Sequence, residues 1–261
     1  GKPEVPLFCV PGAGANVTSL VELVSCFKAG RAVTGFQPRG LSDSQVPFST
    51  VESAACCYLN ALNAIAPKGP VALLGHSFGG WVIFEMAQLL RRSGREVESL
   101  TIIDSQAPDG DGPIREYSAN DIVMAWVAIF ETILGRPLLS GVQEIESLSQ
   151  AAQRSLVHQR LVGAGFLPRQ SQPDGIAGKL RTFAAALRAR YCPREAFSGN
   201  VRLVLVDDPD LTPEAGRERQ ERIVRSWKRW LPNLAYLHGP GNHMTCLQTP
   251  HVQSLARIIF S

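Results

Sequence analysis

Long apolar runs are missing from this chain. The longest, Ile122 to Phe130, is far shorter than the roughly 20 residues a membrane-spanning helix needs. No N-terminal stretch has the layout of a secretory signal. A strong charge of one sign is missing too. Twenty-six basic residues face 23 acidic ones, a net charge of +3, too mild to argue for nucleic acid or a membrane surface as partner. The six cysteines (Cys9, Cys26, Cys56, Cys57, Cys192 and Cys246) form no C-x-x-C pair and no zinc-finger spacing with histidine. Neither a metal site nor a disulfide framework is therefore expected, and reduced thiols point to the cytoplasm. Cys9 in an apolar strand and Cys56-Cys57 in a helix read as small hydrophobes. Internal repeats, low-complexity tracts and interdomain linkers are absent, as is an initiator methionine. Opening on Gly1-Lys2-Pro3-Glu4, the chain reads as a piece of a longer polypeptide or a tag-processed product. What is present, 261 residues with 45% hydrophobic and 19% charged side chains, suits one soluble globular domain with a sizeable core.

The first half alternates strand and helix. Strands are expected at Val5–Val10, Ala32–Phe36, Val71–Leu74 and Ser99–Asp104. Helices are expected from Val17 to Phe27, from Val51 to Ile65 and from the residues after Ser77 to Arg92. Such alternation implies right-handed crossovers and a mostly parallel sheet flanked by helices, with ligands at the carboxyl ends of the strands. The alternation stops after Asp104. Helical patterns at Asn120–Leu134 and Ile145–Val162 predict a helical insertion over about 107–173, which reads as a lid. The core then comprises about 1–106 and 174–261. It resumes with a helix from Gly178 to Tyr191, a strand at Val201–Val206, a charged helix from Glu214 to Trp230, a strand at Leu234–His238 and a closing helix from Val252 to Ile259. The basic residues of the charged helix (Arg217, Arg219, Arg222, Arg225, Lys228 and Arg229) could face an acidic partner, but with Glu218 and Glu221 interleaved the helix reads as a solvated face.

The most informative motif is Gly75-His76-Ser77-Phe78-Gly79-Gly80, set between an apolar strand and an amphipathic helix. A reversal this tight holds the serine in a strained conformation, clear of the sheet and beside a helix N-terminus. Side chains at Gly75 or Gly79 would collide with crossing backbone. A serine hydroxyl is a poor nucleophile until a base takes its proton and an acid orients the base. His243, in the loop Gly239-Pro240-Gly241-Asn242-His243-Met244 after the last strand, is the expected base, ahead of His238. His76 is expected to point away, and Cys246 to pack. Asp104 and the pair Asp207-Asp208 both end strands that can supply the acid, and the residues alone leave that choice open. The N–H groups of Phe78 and of Ala13, in the turn Pro11-Gly12-Ala13-Gly14-Ala15, are the expected oxyanion donors.

These motifs resemble the type I thioesterase domains that release chains from nonribosomal peptide and polyketide synthetases. The resemblance runs through Leu7-Phe8-Cys9-Val10-Pro11-Gly12-Ala13-Gly14, Gly35-Phe36-Gln37-Pro38-Arg39-Gly40, the Ser77 motif with Glu85-Met86-Ala87, Ile103-Asp104-Ser105, Tyr191-Cys192-Pro193 and the His243 loop. It implies an α/β-hydrolase fold with a lid inserted after the strand ending at Asp104, and it selects Asp104 as the acid. It also implies a substrate delivered on the 4'-phosphopantetheine arm of an upstream carrier-protein domain, with no tightly bound cofactor and no metal. The excised domain is expected to be a monomer. Ser77 would accept the acyl or peptidyl chain, which then leaves by hydrolysis or macrocyclisation. Trp126, Phe130 and Phe166 of the lid are candidates to line an apolar chamber or to form plain lid core. A freestanding editing thioesterase, a generic serine esterase and a non-catalytic binding module are the competing readings.

Overall fold

A computed structural model describes residues 4–27, 30–42, 45–108 and 116–260. These hold six strands: β1 (Leu7–Val10), β2 (Val33–Gly35), β3 (Val71–His76), β4 (Val97–Ile103), β5 (Val201–Asp207) and β6 (Leu234–Asn242). They also hold eight α-helices: α1 (Val21–Ser25), α2 (Val51–Ile65), α3 (Phe78–Arg92), α4 (Ala119–Leu134), α5 (Gln150–Gly163), α6 (Ala177–Arg188), α7 (Pro213–Lys228) and α8 (Val252–Phe260). The chain divides into two compact units. One comprises Gly1–Gln37, Thr50–Gly112 and Arg190–Ser261, and the other Pro38–Ser49 and Pro113–Ala189.

The first unit is a sheet in the order β2-β1-β3-β4-β5-β6, every neighbouring pair being parallel. The inner strands β1, β3 and β5 are buried along nearly their whole length because both faces are covered there. Leu7 and Cys9 of β1, Ala72 and Leu74 of β3, and Val204 and Val206 of β5 share one core with Leu20, Leu23 of α1 and Val252, Leu255 and Ile259 of α8. On the other face Phe8 stacks on Phe36, and Phe36 stacks on Tyr58 of α2. Phe84 of α3 meets Trp227 of α7 edge to face at 5.5 Å. The chain leaves β1 toward β2 and returns on the far side of β1 as β3. The carboxyl ends of β1 and β3 thus flank a switch in strand order, where ligands of such sheets bind.

One buried polar cluster ties α3 to the segment after α6. The phenol of Tyr191 donates to Glu85 Oε2 at 2.7 Å, and Arg92 lies 3.5 Å from the other carboxylate oxygen. Burial, followed by the hydrogen bond to Glu85, pushes the phenol pKa upward, so the group stays a donor. These pairings satisfy a carboxylate that is only 5% exposed.

The second unit is helical. Ser118 and Asp121 form a reciprocal capping box at the start of α4, and Gly135 ends it in the left-handed conformation. Trp126, Phe130 and Phe166 meet edge to face in series with centroids 4.8 and 5.0 Å apart. Trp126 is buried, and Phe130 and Phe166 are half-buried. The unit is larger than the insertion expected over 107–173, of which 109–115 lie outside the described residues. It takes in 38–49 and α6 as well, because Gly178 lies directly against the backbone of Leu41, and Arg181 donates to the carbonyls of Gly40 and Ser42.

Most element boundaries agree with the sequence pattern. Three that differ have local causes. The single helix expected from Val17 to Phe27 begins as a 3-10 turn, Val17–Leu20, because the Asn16 side chain accepts from Thr18 N. α5 starts at Gln150 rather than Ile145, because Ser149 caps it by accepting from Ala152 N. α6 stops at Arg188, three residues before the Tyr191 that enters the other unit's core. The cysteines are free thiols, but only Cys9 and Cys246 are buried. Cys56 and Cys57 sit on the outer face of α2 and so are not the packing residues the sequence suggested. Among the described residues no helix is long and apolar enough to cross a membrane.

Replacing Tyr191 with Phe removes the donor but keeps the ring. It leaves a buried carboxylate oxygen unpaired, so unfolding should become easier by about 1–3 kcal/mol. Chemical denaturation of the variant beside the parent protein measures this, and equal midpoints would refute the stabilising role.

Candidate active site

The elbow is built by exclusion of side chains. A Cβ on Gly75 would strike the carbonyl of Gly79, and one on Gly79 would strike the carbonyl of Val10 and lie 2.7 Å from that of Pro11. Only glycine lets α3 start this close to β1 and β3. Between them Ser77 takes φ 54° and ψ −123°, a conformation that costs a non-glycine residue about 1–3 kcal/mol. The surroundings hold it there. Ser77 N donates to Ile103 O at 2.8 Å, and Ser77 O accepts from Gly80 N at 2.8 Å. Among the described residues the Ser77 hydroxyl makes no hydrogen bond.

The turn after β1 abuts this elbow. A Cβ on Gly12 would sit 3.4 Å from Ser77 Cβ and 3.1 Å from His76 Nδ1. Ala15 N closes the turn on Gly12 O at 3.2 Å. Neither Ala13 N nor Phe78 N is engaged by a hydrogen bond among the described residues. Both expected oxyanion donors are thus free to take a ligand oxygen.

Asp104 follows β4 directly and is the second non-glycine residue at positive φ, 41°. Its N–H donates to Val204 O at 2.7 Å, and its Oδ1 accepts from Val206 N at 3.3 Å. Its Oδ2 receives His243 Nδ1 at 2.6 Å, with an Arg219 guanidinium nitrogen 3.7 Å away. Burial is the largest single influence on this carboxyl and raises its pKa. The His243 hydrogen bond and charge, with Arg219 and the Val206 N–H, together outweigh it, so the group lies below the ordinary carboxylate range.

His243 sits in a turn organised by Asn242. The Asn242 side-chain oxygen accepts from Met244 N at 2.9 Å and from Thr245 N at 3.1 Å. Thr245 Oγ1 accepts from Asn242 N at 3.0 Å. This is an Asx turn, and it aims the ring back across the sheet edge. His76 fixes the same turn from β3. Its Nε2 donates to the His243 carbonyl at 3.1 Å, and the two rings lie 4.9 Å apart. Far from pointing away, His76 therefore braces the turn that carries His243. Burial, with His243 next, depresses its pKa to about 3, so it acts as a neutral donor.

The remaining candidates fall away on geometry. Asp208 Oδ2 lies 3.9 Å from Arg219, and Asp207 Oδ2 lies 3.6 Å from His238 Nε2 in an exposed pair. Neither aspartate is paired with His243, and His238 does not meet Asp104. Cys246 is fully buried, and its thiol is pushed up to about 12 by burial and then by Asp104. It is packed and protonated. His158 bonds Ser171 within the helical unit. Among the described residues no three His, Cys, Asp or Glu side chains are grouped to hold a metal ion.

Sequence reasoning missed three residues here. Asn242 had a readable signal, since Asn with Thr three positions on is a turn pattern. His76 had only its adjacency to Ser77. Arg219 had none beyond its charge, and the solvated-face reading of its helix is corrected at this one position, where the side chain is 17% exposed and faces two carboxylates.

Comparison with known proteins adds the family. The microperfuranone synthase of Emericella nidulans is 26% identical over 97% of this chain and 27% of its own length. The inactive atromentin synthetase invA3 of Paxillus involutus is 24% identical over 98% and 26%. The chain spans about a quarter of the length of these two relatives. Among solved structures, a four-domain nonribosomal peptide synthetase bound to AMP and glycine superposes with a TM-score of 0.83 at 22% identity, over 99% of this chain and 19% of that one. The Vlm2 thioesterase domain gives 0.67 at 20% identity, over 99% and 94%. The parallel sheet and these neighbours make the fold an α/β-hydrolase fold. The Thioesterase domain family model matches residues 5–261, and the chain belongs to that family.

Proposed function

We propose that this domain is a chain-releasing thioesterase with Ser77 as nucleophile, His243 as general base and Asp104 as the acid that orients it. The observation that carries this reading is His243 Nδ1 at 2.6 Å from a buried carboxylate, together with a serine held at a positive-φ elbow whose N–H bonds the residue before that carboxylate. A hydrogen bond at Nδ1 leaves Nε2 as the ring nitrogen that takes the serine proton.

In the first half-reaction Ser77 Oγ attacks the thioester carbonyl and its proton passes to His243 Nε2. The oxyanion is received by the N–H groups of Ala13 and Phe78. Collapse breaks the carbon–sulfur bond, and the departing phosphopantetheine thiolate takes the proton from His243. In the second half His243 deprotonates water, or an amine or hydroxyl of the bound chain, which attacks the Ser77 ester. The proton then returns to Ser77 Oγ as the ester bond breaks. Water yields a free acid and an internal nucleophile yields a macrocycle. The choice rests on which nucleophile is held near the ester. The synthetase relatives and the fraction of their length that this chain spans support a carrier-protein domain in the same polypeptide as the donor, in the cytoplasm.

A fluorophosphonate probe should label the domain once, with the adduct on the peptide containing Ser77. Ser77→Ala should abolish labelling, and a mass shift on any other residue would sink the mechanism. Replacing Asp104 with Asn should lower kcat for a peptidyl thioester by about 10³–10⁴-fold with the fold intact, while Asp207→Asn stays near the parent value. The opposite ranking would transfer the acid's role to Asp207. Mass spectra of the products from a series of acyl and peptidyl thioester mimics separate free acids from macrocycles. Oxoesters turned over in preference to thioesters would point instead to a general esterase.

A further inference from the structure

The charged arm behind Asp104 is the part of the site that the triad leaves unexplained. Arg219 of α7 lies between two carboxylates, 3.7 Å from Asp104 Oδ2 and 3.9 Å from Asp208 Oδ2. Each element around the Asp104–His243 pair contributes something. β3 supplies His76, which burial and His243 keep neutral. The turn after β6 supplies Cys246, which burial keeps protonated. The ends of β5 and β6 supply Asp207 and His238, paired with each other and mostly exposed. Among these groups, only Arg219 and Asp208 bring a partly buried charge to bear on the pair.

We propose that Arg219, steadied and partly neutralised by Asp208, is a positioning residue that sets the lower pH limit of catalysis. The inference rests on the triad reading above. Asp104 Oδ2 is the oxygen that both His243 and Arg219 face. A cation already beside that oxygen weakens the extra stabilisation the carboxylate gives a protonated His243 ring. Asp208 moderates the effect by drawing on the same guanidinium.

The sign of each substitution follows. Arg219→Gln removes the cation, the protonated ring is better held, and the acidic limb of kcat/KM moves to higher pH by about 0.5–1 unit. Arg219→Lys keeps the charge and should leave the limb near its original place. Asp208→Asn leaves the guanidinium unopposed and should move the limb the other way, to lower pH. A loss of packing alone lowers activity at every pH and gives no such opposed pair of shifts.

The experiment is the pH profile of kcat/KM on one acyl thioester mimic for the parent protein and the three variants, with thermal unfolding run alongside. Opposite displacements for Arg219→Gln and Asp208→Asn support the proposal. A limb that stays put in folded Arg219→Gln, or a shift of the same sign in both, overturns it. If Arg219→Gln does not fold, the direction of the Asp208→Asn shift decides alone. If the fluorophosphonate adduct in the parent protein lies away from Ser77, the triad reading fails first and the arm falls with it. A correct adduct with an unmoved limb removes only the arm.

Discussion

The close crossing of α3 over the end of β1 is the constraint on which the rest of this site depends. Where Gly79 faces the carbonyls of Val10 and Pro11 there is no room for a side chain. That contact brings the turn after β1 beside the elbow. It also sets Ser77 N on the carbonyl of Ile103, whose next residue is Asp104. Ser77 and Asp104, the proposed nucleophile and acid, are thus fixed by adjoining backbone groups. Both are held at positive φ, at 54° and 41°, in backbone that the surrounding hydrogen bonds over-determine. Such strain persists only where the fold around it is rigid, and among the described residues it falls outside glycine only at these two, each directly following one of two neighbouring strands.

The electrostatics depend on the same packing. Enclosure makes His76 a neutral donor and Cys246 an inert thiol. Asp104 stays ionised despite burial because three partners, His243, Arg219 and the Val206 N–H, face its two oxygens. The outcome is one buried carboxylate opposite one titratable ring, with the adjacent imidazole and thiol uncharged. Competing proton acceptors have been removed from the neighbourhood by desolvation, not by distance.

Much of this was legible in the residues before any coordinates. Gly75, Ser77 and Gly79 between an apolar strand and an amphipathic helix carry their geometry in their spacing, and the span Val51–Ile65 agrees with α2 residue for residue. What stayed hidden depends on contacts between distant segments. Nothing local distinguishes Asp104 from Asp208 as a strand-end acid. The difference is that the β6 turn delivers His243 to Asp104 and not to Asp208, whereas the guanidinium from α7 lies near both. The bracing role of His76 needs the position of a carbonyl 167 residues away. The extent of the helical unit was not legible for a similar reason. Its membership is decided by Gly178 lying on Leu41, a pairing with no signature in either segment.

The chain re-enters the sheet-bearing unit at Arg190, and the next residue, Tyr191, is moored to Glu85 on the elbow helix. One residue past the join the chain is therefore pinned to α3, so the register of the elbow helix is held by residues of the sheet-bearing unit itself.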